Sequence, residues 1–103
     1  MNLKTLAWDE ELAGIFGIPM ECLAQICDSD AVYGHTTMNG LFEKPVPICG
    51  VLGDSHAALF GQGCLQPGMS KATYGTGSSL MMNIGGQPIP SSHGVVTSLA
   101  WKR

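Results

Sequence analysis

Two short stretches of this chain carry residues that could do chemistry. In Gly50-Val51-Leu52-Gly53-Asp54-Ser55-His56-Ala57-Ala58-Leu59-Phe60-Gly61-Gln62, a lone carboxylate sits on a glycine turn after an apolar run. Thr73-Tyr74-Gly75-Thr76-Gly77-Ser78-Ser79 follows closely. A carboxylate such as Asp54 can take the proton of a hydroxyl nucleophile. A turn of small residues lets backbone amides approach a phosphate. Together the stretches read as two halves of one phosphoryl-transfer site.

Each half also has a plainer reading. Open α/β sheets hold ligands at the carboxyl ends of their strands, which suits Asp54. An aspartate ahead of a helix also caps it, and the two roles are compatible. Gly75-Thr76-Gly77 could equally be an ordinary hairpin turn. Ser55 invites a hydrolase reading, which needs a histidine oriented by an acid. His56 is the next residue, so its side chain points elsewhere on the helix, and no acid follows near His93. Gly63 to Ser70 mimics a phosphate-binding loop in glycine spacing, but Met69 stands where the lysine belongs. The third glycine of a dinucleotide fingerprint is missing after Gly75-Thr76-Gly77. His35, His56 and His93 lack metal-ligand spacing, so no metal site is expected from them. Met69, Met81, Met82 and Trp101 read as packing residues.

Composition narrows the partners. The chain has 103 residues, a net charge of −3 and only 5 Lys plus Arg, so it has no basic cluster for nucleic acid. A phosphorylated ligand would rely on backbone amides, helix N-termini or a metal ion. No stretch approaches the ~20 apolar residues of a membrane span, and Met1-Asn2-Leu3-Lys4-Thr5 lacks the apolar run of a secretory leader. Cys22, Cys27, Cys49 and Cys64 show no Cys-x-x-Cys spacing, and reduced, buried thiols in a cytoplasmic protein are expected. With 45% hydrophobic and 13% charged residues, a large apolar face awaiting a partner is also expected.

The elements that must position the chemistry can be read from pattern. Asp9 caps a helix in which Leu12, Ile15 and Phe16 share a face, and Gly17 stops it. Pro19 opens a second short helix to about Ile26. Asp28 to Lys44 is loop-like. Val46 to Leu52 reads as a buried strand, and Ser55 to about Gln62 as a helix. Gly61, Gly63, Pro67 and Gly68 mark a hinge. Met69 to Tyr74, Ser79 to Ile84 and Val95 to Trp101 then read as strands of a β-meander.

The ordered succession of Gly53-Asp54-Ser55-His56-Ala57-Ala58-Leu59-Phe60-Gly61-Gln62, Pro67-Gly68-Met69-Ser70-Lys71, Thr73-Tyr74-Gly75-Thr76-Gly77 and Met82-Asn83-Ile84-Gly85 resembles the FGGY carbohydrate kinases. Leu6-Ala7-Trp8-Asp9-Glu10-Glu11-Leu12, Phe16-Gly17-Ile18-Pro19, Val32-Tyr33-Gly34 and His93-Gly94-Val95-Val96-Thr97 look like the same family's central region. The resemblance implies an α/β piece of an actin-like ATPase (ribonuclease H-like) fold. Residues 1–66 would close the first, sugar-binding lobe. Residues 67–103 would open the second, nucleotide-binding lobe. It further implies that Asp54 is the catalytic base and touches the substrate hydroxyl, with Ser55 beside it on the substrate. Gly75, Thr76 and Gly77 would lie at the terminal phosphates of ATP, which carries Mg²⁺, and lobe closure would assemble the site. Members acting on glycerol have glutamine where Ser55 stands, which leans this chain toward a pentulose or another polyol.

The resemblance also implies that the remainder of a kinase chain supplies the adenine pocket and most sugar contacts, so the segment alone is expected not to turn over. The alternative from another class is a non-catalytic module whose apolar faces drive self-association. A serine hydrolase using Ser55 is the third reading.

Overall fold

The computed structural model describes residues 1–102. They form a small α/β chain in the order α1 (Glu10–Ile15), a single 3₁₀ turn (Met20–Cys22), β1 (Gly34–Thr36), β2 (Val46–Ile48), α2 (Asp54–Gly61), β3 (Ser70–Tyr74) and β4 (Ser78–Met82). They divide into two compact units, one of Met1–Cys27 with Gly86–Leu99, the other of Asp28–Gly85 with residues 100–102.

In the first unit, α1 begins and ends as its residues dictate. The Leu12 amide donates to Asp9 Oδ1 at 3.0 Å, a side-chain cap. Gly17 turns the chain out of the helix at a φ of +65°, a conformation that a side chain disfavours. Ala13 is buried, whereas Leu12, Ile15 and Phe16 face outward. The second expected helix shrinks to the 3₁₀ turn. Leu23 is already extended, and the Ala24 carbonyl accepts from Trp8 Nε1 at 2.7 Å, unavailable to a helical amide.

Residues 95–101 form no strand. A strand needs a neighbour's amides and carbonyls; here Val95 and Val96 are exposed, and the Thr97 hydroxyl donates to the Ile89 carbonyl at 2.6 Å. The expected meander is therefore one hairpin.

The second unit holds two antiparallel hairpins. In the first, Gly34 pairs with Ile48, His35 with Pro47 and Thr36 with Val46. The expected buried strand over 46–52 is reduced to three exposed residues. Pro47 has no amide to donate, and beyond Ile48 the Val51 amide turns to the Ser29 carbonyl at 3.0 Å. In the second hairpin, Ser70 pairs with Met82, Lys71 with Met81, Ala72 with Leu80, Thr73 with Ser79 and Tyr74 with Ser78. Its open end is closed by the Gly68 amide on the Asn83 carbonyl at 2.8 Å and the Asn83 amide on the Met69 carbonyl at 2.9 Å. Gly68 adopts a φ of +88° to make that closure.

Helix α2 packs against β3 and β4. Leu59, 2% exposed, is its buried residue, and Cys64 is buried just after it. Phe60, on the outer side, meets the Trp101 ring edge to face, with centroids 5.3 Å apart. Lys102 Nζ lies 2.8 Å from Asp28 Oδ1, an exposed ion pair of small energetic weight. All four cysteines are free, but only Cys64 is buried as expected; Cys22, Cys27 and Cys49 are exposed.

Candidate active site

The carboxylate of Asp54 stands at the head of α2. Gly53, with φ −61° and ψ 144°, occupies the cap position, and its carbonyl accepts the Ala57 amide at 2.8 Å. Asp54 is thus the first helical residue, not the cap. Its Oδ1 accepts the adjacent Ser55 amide at 2.6 Å. The side chain is exposed, in the first turn of the helix. The cap is glycine for a local reason. A Cβ on Gly53 would lie 3.1 Å from His56 Nδ1, so the His56 ring folds back over the residue before the aspartate.

Ser55 connects this helix head to the second hairpin. Its Oγ lies 3.3 Å from Ser79 Oγ. Ser79 is the second residue of β4, directly after the turn of residues 75–77 and Ser78. The first turn of α2 and the start of β4 are therefore neighbours, and Asp54, Ser55 and the Gly75-Thr76-Gly77 turn all belong to the same compact unit. Inside the turn the Gly75 amide donates to the Gly77 carbonyl at 3.1 Å. A Cβ on Gly77 would meet nothing within 4 Å, and one on Gly75 only the Gly77 carbonyl oxygen at 3.8 Å. The turn is thus open to approach, and Thr76 at its apex is exposed. Such a turn leaves its backbone amides open to an anion. Among the described residues, no group of three His, Cys, Asp or Glu could hold a metal ion.

Lys71 is the residue that sequence reasoning missed. It is 3% exposed. Its Nζ donates to Thr73 Oγ1 at 2.8 Å and to Ser79 Oγ at 3.2 Å. The signal was available: Lys71 and Thr73 alternate on one strand and Ser79 stands opposite Thr73, so the three share the face that meets α2. An open cleft of about 400 Å³ runs along this hairpin, lined by residues 70–72 and 80–82, rather than at Asp54.

Residues 1–61 match the family model described as "FGGY family of carbohydrate kinases, N-terminal domain". The chain is 52% identical over 101 residues to the glycerol kinase of Chromobacterium violaceum, covering 98% of this chain. It is 48% identical over 100 residues to that of Stenotrophomonas maltophilia and 47% over 100 residues to that of Desulfitobacterium hafniense, each covering 97% of this chain. The chain spans 20% of the length of each of these relatives. All three are glycerol kinases, so the lean toward a pentulose suggested by Ser55 finds no support among them. With the family model matched over more than half of its residues, this chain belongs to the FGGY family of carbohydrate kinases.

Proposed function

We propose that this chain is a segment of an ATP-dependent carbohydrate kinase that transfers the γ-phosphate of ATP to a polyol or sugar hydroxyl, with Asp54 as the base. The observation that carries the reading is the exposed Asp54 carboxylate at the head of α2, with Ser55 linking that helix head to the strand that follows the Gly75-Thr76-Gly77 turn. Phosphoryl transfer asks a protein mainly for positioning and charge stabilisation. Asp54 accepts the proton of the attacking hydroxyl, a contribution of ~10²–10⁴-fold in rate. Ser55 contacts a neighbouring oxygen of the substrate. Gly75, Thr76 and Gly77 hold the terminal phosphates. Mg²⁺, when bound with ATP, neutralises the charge on those phosphates. Glycerol is the first substrate to test, because the relatives are glycerol kinases.

In this reading residues 1–66 end a sugar-binding lobe and residues 67–103 begin a nucleotide-binding one; the end of the N-terminal-domain match at residue 61 supports a boundary nearby. The remainder of the kinase supplies the missing contacts, and the 103-residue chain alone is inactive. A cytoplasmic location, alongside ATP, goes with this chemistry and with four free cysteines.

The test is ADP release by the full-length kinase carrying this segment, with ATP, Mg²⁺ and glycerol or a sugar panel. Asp54→Asn is expected to lower turnover at least about 100-fold. Turnover at the parent's rate by that variant would overturn the assignment.

A further inference from the structure

The buried lysine has a task that neither half of the phosphoryl-transfer site explains. A buried ammonium is costly to desolvate, and among the described residues its partners are both neutral hydroxyls, Thr73 Oγ1 and Ser79 Oγ. What those contacts can supply is direction. An ammonium is a donor only, whereas a hydroxyl has one proton and two acceptor lone pairs. Ser79 Oγ accepts from Lys71, and a hydroxyl polarised by a cation is the better donor of a pair, which favours its proton on Ser55 Oγ at 3.3 Å, a contact in which either hydroxyl can donate. With Ser79 donating, Ser55 Oγ accepts and keeps its own proton for a partner off the hairpin. Each link strengthens the next, because a hydroxyl that accepts from a cation is a better donor. The chain of donors ends one residue from Asp54, whose carboxylate can only accept when ionised.

We propose that Lys71 is a positioning residue that acts through Ser79 to fix the Ser55 hydroxyl as an outward donor, so that the site shows a polyol an acceptor at Asp54 and a donor at Ser55. The proposal rests on the kinase reading and deepens it. One substrate hydroxyl gives its proton to Asp54, and an adjacent substrate oxygen accepts from Ser55. A substrate whose second oxygen must itself donate meets a donor instead and is disfavoured.

The experiment uses the full-length kinase carrying this segment, with glycerol and ATP–Mg²⁺ as probes. Lys71→Met and Ser79→Ala are each expected to raise KM for glycerol about tenfold, leaving KM for ATP and kcat within about twofold. Lys71→Arg, which keeps the cation, restores most of the glycerol affinity. In a Ser55→Ala background, Lys71→Met adds no further loss. Unchanged glycerol KM in both variants, with Asp54→Asn inactive, would overturn the proposal while leaving the kinase reading intact. A fall in kcat together with a rise in both KM values would overturn it too, as the mark of a merely structural lysine. Full turnover by Asp54→Asn would remove the kinase reading and this proposal with it. Should Lys71→Met fail to fold, Ser79→Ala, which deletes one hydroxyl, decides alone.

Discussion

The two hairpins of this chain make the same kind of ladder and come to different ends. In β1–β2, three residues pair on each side, one of them a proline, and every residue of β2 is exposed. In β3–β4, five residues pair on each side and α2 lies across one face. That covered face buries Lys71 and receives Ser55; the opposite face leaves Leu80 77% exposed. Hydrogen bonds alone do not separate the two, since both ladders are satisfied. Cover does. A helix laid across one side lets a strand bury a charged side chain, because the ammonium of Lys71 there finds the hydroxyls of Thr73 and Ser79 beside it.

The comparison can be broken most forcefully at Leu59. Leu59→Ala should cost about 2–5 kcal/mol in the second unit. Amide exchange should quicken across β3–β4 and stay unchanged across β1–β2; equal changes in both would erase the distinction. Gly68→Ala should follow at about 1–2 kcal/mol, because its φ of +88° is strained for a side chain, and exchange should rise first at the Asn83 end. Val46→Thr in the uncovered hairpin should stay within about 0.5 kcal/mol by thermal melt. A third region serves as control. The Leu12 amide donating to Asp9, followed by the Asn2 side chain, holds the Asp9 carboxyl below its ordinary value of 3.8. A depressed carboxyl stabilises the folded form above that ordinary value, and the effect is lost as pH falls through the folded one. Acidification below about pH 4 should therefore shift the Leu12 amide resonance in a pH titration, and Asp9→Asn should abolish that response.

Much of this was legible beforehand. Asp9, Glu10 and Gly17 mark the start, charge and stop of α1 without help from tertiary contacts. The Ala-Ala-Leu-Phe run predicts α2, and alternation around Gly75-Thr76-Gly77 predicts the hairpin. Gly34-His35-Thr36 gave no apolar alternation, so β1 stayed hidden until a partner strand was in view. Val95 to Trp101 had the composition of a strand and lacked the neighbour that would make it one. In the candidate site, Asp54, Ser55 and the glycine turn declare themselves by type. Lys71 does not: a lysine on a strand reads as solvated, and only its register opposite a helix makes it a buried one.

The edge-to-face pair of Phe60 and Trp101 gives the molecule an optical gauge. Asp54 opens α2 and Phe60 stands near its close, about 9 Å along the axis at 1.5 Å per residue. Any tilt of the helix that carries the Asp54 carboxylate sweeps Phe60 across the indole. With Trp8 replaced by phenylalanine, Trp101 is the remaining tryptophan, and its emission becomes a running record of where the Asp54 carboxylate stands.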